Sequence, residues 1–223
     1  MHHTYAIHSV PRDDDTRLIR KFAALHSEAL RAIYPGEDLI LQAPKILTSP
    51  QDLHEAMQNV QNWICVAPNA FTGATSLSEG QWVGMYALQG PLKPGECSFF
   101  DADMPLEAGD SLWVARRMYV QEEHRCKEAL VGLQQALEAH IRGHHKGIGS
   151  DTGKAHLRII AKEGSAAYAL HSINAERLRG LEYREVLQDD GTTRRLPPAL
   201  VEGTSEEVWG KPWALFEMRV DLQ

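Results

Sequence analysis

The chain has 223 residues, 43% hydrophobic and 24% charged, which is long enough to bury a core without staples. Its 23 Lys and Arg against 30 Asp and Glu leave a formal net charge of −7. That balance argues against a general nucleic-acid or anionic-membrane binder, because phosphate contacts need an excess of cations. Cys65, Cys97 and Cys126 are odd in number and widely spaced, so no disulfide framework or CxxC metal site is expected. Asp13, Asp14 and Asp15 break any leader-like apolar run, and no window approaches the ~18 to 20 apolar residues of a membrane helix. A soluble cytoplasmic protein, monomer or homodimer, is the expectation.

In chain order, Tyr5 to Val10 reads as a short strand, followed by a turn from Pro11 to Asp15. Leu18, Phe22, Leu25, Ala29 and Ile33 recur at gaps of three and four, predicting a helix from Thr16 to Tyr34 that Pro35-Gly36 stops. Ser49-Pro50 predicts the start of a second helix, Gln51 to Asn59. Trp63 to Ala67 and Gln81 to Gln89 read as an antiparallel strand pair, with an irregular acidic loop from Pro91 to Gly109 after them. Ser111 to Val120 is the next predicted strand. Leu130, Leu133, Leu137 and Ile141 then mark a helix from Lys127 to Arg142, ended by Gly143, with a flexible Gly-rich connection from His144 to Lys154. A strand at Leu157 to Ala161, a helix from Ser165 to Arg179 and strands at Leu181 to Leu187 and Trp213 to Val220 complete the order. With no internal repeat, all 223 residues are expected to form one domain.

Several local patterns are tempting. His140, His144 and His145 gather at a helix end, but no paired Cys or acid completes a zinc site, and a cationic, exposed helix terminus is the simpler reading. No metal is expected. Gly147 to Lys154 fails the phosphate-loop pattern in glycine spacing, because no Gly lies five positions before Gly153, and Ala155 stands where Ser or Thr is required. Cys126, flanked by Arg125 and Lys127 at a helix start, has the surroundings of a reactive thiol as well as those of an inert one. The acids from Asp101 to Asp110 suit either a cationic substrate or a solvated loop. The tryptophans, Trp63, Trp82, Trp113, Trp209 and Trp213, are expected in the core.

Trp82-Val83-Gly84-Met85, then Leu112 to Val120 ending in Met118-Tyr119-Val120, then Arg125, then Gly180-Leu181 and the closing Phe216 to Val220 carry a resemblance over nearly the whole chain. The chain resembles the GCN5-related N-acetyltransferase (GNAT) family. The resemblance implies an α/β (α+β) fold with a mixed, mostly antiparallel splayed sheet flanked by helices on both faces. It implies acetyl-CoA as co-substrate, an amine acceptor, and an opening between the strand ending at Val120 and that at Leu157 to Ala161. Met118, Tyr119 and Val120 would meet the pantetheine through their backbone. Arg125, Cys126, Lys127, Glu128, Ala129 and Leu130 occupy the family's pyrophosphate loop. That loop departs from the pattern: it has no glycine, the residue that lets backbone N–H groups approach a phosphate, and Glu128 would repel one.

The family's acid on the last helix falls near Leu170 or His171 counting forward, and at Glu176 counting back from Gly180. Tyr168 lies close by, so Tyr168 and His171 are the catalytic candidates. The leading expectation is transfer of an acetyl group from acetyl-CoA to the amine of a small molecule. The alternative is a GNAT-like fold that has lost acetyl-CoA binding and serves as a repurposed metabolite-converting enzyme or a binding module.

Overall fold

The computed structural model describes residues 4–11, 15–33, 60–92, 106–107, 109–147, 153–162, 164–181, 184–187, 193–196 and 213–222. The elements are β1 (Ala6–Ser9), α1 (Thr16–Ile33), β2 (Val60–Ala67), β3 (Gln81–Leu92), β4 (Ser111–Val120), a 3-10 turn (Glu122–His124) and α2 (Lys127–Gly147). They continue with β5 (Ala155–Lys162), α3 (Ala166–Asn174), β6 (Glu176–Leu181), β7 (Arg184–Leu187), β8 (Thr193–Leu196) and β9 (Trp213–Val220). The predicted helix at Gln51 to Asn59, Cys97, Trp209 and most of the loops around Asp101 and Asp189 lie outside the described residues.

Seven strands form one sheet in the order β1-β2-β3-β4-β5-β9-β6, and β7-β8 is a separate hairpin. Only β4 and β5 are parallel; every other pairing in the sheet is antiparallel. The architecture is therefore the mixed, mostly antiparallel sheet that the sequence predicts. Asp15 caps α1, its Oδ1 accepting the Arg17 N–H at 2.8 Å. Phe22, Leu25 and Ala29 press that helix onto Ile64, Val66, Trp82, Met85 and Tyr119 on one face of the sheet. On the opposite face Leu133, Leu137 and Ile141 of α2, together with Ala167 and Leu170 of α3, pack on Trp63, Tyr86, Trp113, Leu157 and Phe216. Burial on both faces explains why the central strands read as nearly continuous apolar runs. No described helix is long and apolar enough to cross a membrane.

Several boundaries differ from the sequence reading: β2 begins at Val60 rather than Trp63, β3 ends at Leu92 rather than Gln89, and β5 spans Ala155–Lys162 rather than Leu157 to Ala161. Helix α2 runs past Gly143 to Gly147. Ile141 and His145, four residues apart, are both buried, and that packing outweighs the ~1 kcal/mol a helical glycine costs. Conversely, α3 ends at Asn174 rather than Arg179, because Ala175 is extended and Glu176 to Leu181 pair with β9. The segment read as one strand from Leu181 to Leu187 is the end of β6 plus β7, and β8 lies inside the expected closing loop. Pairing with a distant strand leaves no local periodic signal.

Candidate active site

The parallel pairing of β4 and β5 runs from Ser111–Ala155 to Ala115–Ile159 and then stops, although β4 continues to Val120 and β5 to Lys162. The strands part there, at the position expected from the sequence. Beside the opening, β4 carries a bulge: Met85 pairs with Tyr119 and Ala87 with Arg116, so Arg117 and Met118 together oppose Tyr86. A bulge leaves one residue out of the ladder and re-aims its neighbours. Here it also resets the alternation of side chains. Trp113 and Ala115 face the α2 side, and after the extra residue so do Met118 and Val120. That three-residue step from Ala115 to Met118 is the one sequence signal that marked the bulge, and simple alternation misses it.

Tyr119 points the other way. Its hydroxyl donates to Glu28 of α1 at 2.9 Å, and Gln121 Nε2 donates to the same carboxylate at 2.9 and 3.0 Å. Burial first, and then the Glu28 carboxylate, push the Tyr119 phenol up to about 12. Tyr119 therefore offers the opening its backbone only. Gly84 sits against this strand end, where a Cβ would meet Val120 Cγ2 at 3.0 Å and the Tyr119 carbonyl at 3.1 Å, so the glycine of the Trp82 to Met85 motif permits the close approach of β3 and β4.

The loop that leads into α2 uses its own amides. The N–H groups of His124, Arg125 and Cys126 donate to the carbonyls of Gln121, Glu122 and His124 at 2.9, 3.2 and 2.7 Å. Arg125, with φ −73° and ψ 67°, is the centre of an inverse γ-turn. Its Nε donates to the Val120 carbonyl at 3.0 Å, and the residue is otherwise exposed. Lys127 and Glu128 are exposed in the first turn of α2, Ala129 is fully buried beneath it, and Leu130 is half-buried against the core. Cys126 is half-buried near Tyr5, whose phenol is pushed up to about 12 by burial and by the bond to Cys126. Glu122, Glu123 and Glu128 outnumber Arg125 and Lys127 on this lip. The arrangement leaves helix-terminal N–H groups and two cations for an anion but no glycine-lined cradle.

Ser165 caps α3, its Oγ accepting the Tyr168 N–H at 3.1 Å. Tyr168 is half-buried with its ring edge-on to Phe216 of β9 at 5.3 Å. His171, one turn on, is 1% exposed; its ring lies 6.4 Å from that of Tyr86 on β3 and 6.3 Å from that of Phe216. It thus touches both arms of the parted sheet. Its Nε2 bonds the Tyr86 hydroxyl at 3.2 Å, while Nδ1 is buried without a hydrogen-bond partner. Burial pushes the imidazole down to about 4, so it is neutral at neutral pH. Burial also raises the Tyr86 phenol above its ordinary value. Glu176 is exposed at the start of β6 and is not on the helix at all.

Two other groups were read differently in the sequence. Asp110 belongs to no solvated loop: its Oδ2 meets His156 Nε2 at 3.0 Å and its Oδ1 accepts the Lys154 N–H at 2.8 Å. His156 Nδ1 meets Glu217 at 3.0 Å, and Arg158 Nε donates to the same carboxylate at 2.9 Å. The Glu217 bond raises the His156 imidazole, burial lowers it and Asp110 raises it, for a net rise. Burial raises both carboxyls, but their hydrogen bonds and charged partners outweigh it and hold them low. None of these four residues stood out in the sequence, because strands 61 residues apart bring His156 to Glu217. The histidines at the end of α2 are not one cationic surface either. His140 packs edge-on to Trp63 and Trp113, and His144 to Trp113. His145 is buried against Ser111 Oγ at 2.8 Å and lowered by that burial and by His144. No cluster of three or more metal-ligating side chains occurs among the described residues.

No protein-family model and no curated protein sequence matches the chain. Solved structures do. NAA60 from Arabidopsis thaliana in complex with acetyl-CoA is 15% identical with a TM-score of 0.52, covering 97% of this chain and 99% of that one. An N-acetyltransferase from Staphylococcus aureus is 13% identical with a TM-score of 0.52, covering 98% and 99%. A ribosomal-protein-alanine N-acetyltransferase from Brucella melitensis is 17% identical with a TM-score of 0.50, covering 95% and 98%. At these identities the likeness is one of fold, and the parted sheet with helices on both faces is the fold this chain shares with GNAT-fold acetyltransferases.

Proposed function

We propose that the chain is an acyltransferase that moves an acetyl group from acetyl-CoA to the amine of a small molecule, as one domain over residues 1–223 in the cytoplasm. The observation that carries this reading is the opening between β4 and β5 beside the Arg117–Met118 bulge. A strand end unpaired on its β5 side suits a ligand with amide groups, which Met118, Tyr119 and Val120 would bond as a further strand would. When bound, acetyl-CoA supplies an activated acyl group. A neutral amine attacks its carbonyl, backbone N–H groups at the bulge stabilise the developing oxyanion, the C–S bond breaks, and the proton given up by the amine ends on the departing thiolate, with Tyr168 as the acid or His171 as a hydrogen-bond donor beside it. Arg125 and Lys127 meet the pyrophosphate by charge, while Cys126, Glu128, Ala129 and Leu130 shape the turn beneath them.

Calorimetry with acetyl-CoA, followed by a thiol-release assay over a panel of amines, tests the reading. The absence of both heat and a thermal shift at millimolar acetyl-CoA overturns it. Arg125→Glu is expected to weaken binding, and unchanged affinity removes the loop from the site. One observation favours a second reading. The amides of His124, Arg125 and Cys126 are all used within the turn, which suits a fold that has lost acetyl-CoA and works as a repurposed metabolite-converting enzyme or a binding module.

A further inference from the structure

Tyr86 and His171 come from β3 and α3, and they meet at the bulge, where the sheet begins to open. The pair has two protons to place on three polar positions: one on the phenol oxygen and one on either ring nitrogen of the neutral imidazole. If Nε2 carries the ring proton and donates to Tyr86, the phenol proton and the Nδ1 lone pair are both buried without partners. If the Tyr86 O–H donates to Nε2, the ring proton sits on Nδ1 and only that donor is left over. The second arrangement leaves fewer buried groups unsatisfied, so it is the lower in free energy. The burial that keeps His171 neutral supports the same count.

We propose that Tyr86 is a positioning residue that holds His171 in its Nδ1–H form, and that this buried N–H is the hydrogen-bond donor to the acyl thioester lodged between the arms of the sheet. This rests on the acetyl-CoA reading for the identity of the ligand, but not for the state of the imidazole. The donor keeps its proton throughout. It stabilises charge developing on the thioester, and no bond to hydrogen is broken at His171. His171 bonds Tyr86 on one arm, lies ring to ring 6.3 Å from Phe216 on the other, and keeps a buried Nδ1 free for a ligand acceptor.

The test uses 15N-histidine-labelled full-length protein. In the ligand-free wild type, His171 is expected to show a protonated Nδ1 and a bare Nε2; the reverse tautomer overturns the proposal without touching the acetyl-CoA reading. Tyr86→Phe, which keeps the ring and removes the donor, is expected to give a mixture of tautomers, and an unchanged spectrum removes Tyr86 from the role. Acetyl-CoA is then titrated in, with calorimetry in parallel. Heat accompanied by a moved Nδ1–H resonance supports the proposal, whereas heat with that resonance unmoved overturns it and leaves the acetyl-CoA reading standing. Absence of heat overturns both. His171→Asn, whose amide reaches about where Nδ1 lies, is expected to bind within a few-fold of wild type, and His171→Leu about tenfold more weakly, the equivalent of one hydrogen bond.

Discussion

At one end of the β4–β5 seam the strands are paired, and Asp110, His156, Glu217 and Arg158 form a buried hydrogen-bonded chain in which each side chain has a partner. At the other end the same two strands part, β4 bulges, and His171 keeps a buried nitrogen with no acceptor. Both ends bury polar side chains; at the paired end every member of that chain is hydrogen-bonded within the protein, although His145, bonded there to Ser111, keeps an unpartnered Nδ1. The difference teaches which polarity serves the fold and which is open to a ligand. A satisfied network specifies and rigidifies, whereas an unsatisfied group is a cost that a bound partner can remove.

The contrast is sharpest for stability. Glu217→Gln withdraws the carboxylate shared by His156 and Arg158, and is expected to cost about 3–5 kcal/mol in urea unfolding. A loss under about 1 kcal/mol would break the assignment of that network to the fold. The pH dependence separates the two ends next. Because His171 is depressed to about 4, the unfolded chain takes up a proton below 6.5 that the folded chain refuses. Stability should therefore fall between pH 6.5 and about 4, by roughly 3 kcal/mol. His145 acts in the same direction. The raised His156 has the opposite sign: its contribution is whole below 6.5 and is lost as pH rises through its folded value. The lowered Asp110 and Glu217 contribute above their ordinary carboxylate values and lose that contribution in acid. Urea midpoints across the pH range check this, and His171→Leu should flatten the limb between 6.5 and 4.

Gly153 supports the paired end. At φ +109° its missing Cβ would run into the backbone at Gly109 and Asp110, so Gly153→Ala should cost about 2 kcal/mol of unfolding free energy. By contrast, the double change Tyr86→Phe with His171→Leu at the open end replaces both partners by apolar groups of similar shape. It is expected to leave stability within about 1 kcal/mol while weakening acetyl-CoA binding. Equal destabilisation by this pair and by Glu217→Gln would erase the comparison. The smallest effect is at the lip, where Glu128→Gln removes one exposed acid facing the turn and should tighten acetyl-CoA binding by a few-fold, less at high salt.

The strands and helices with a local signal were legible. Phe22, Leu25 and Ala29 marked the buried face of α1, and Ser111 to Val120 was placed to the residue, because apolar spacing is written in neighbouring positions. The place of the opening was legible too, through the resemblance carried by Trp82 to Met85 and Met118 to Val120. The β7–β8 hairpin and the early end of α3 were not, since both depend on pairings that only the folded chain makes.

Of the candidate site, the sequence by itself determined that the loop after Val120 lacks glycine and that Tyr168 and His171 share a helix. It also determined a net charge of −7 that gives anions no general attraction. Only the tertiary structure decided that Tyr119 turns away to Glu28, that the loop spends its amides on itself, and that Tyr86 stands under His171. It alone decided that Asp110, at the end of the loop before β4, turns its side chain inward and closes a buried hydrogen-bonded chain with His156, Glu217 and Arg158. The physical reason is one of range. Periodicity and turn chemistry act over a few residues, whereas burial, tautomer and charge pairing are set by neighbours that the chain brings together from 46 to 91 positions away.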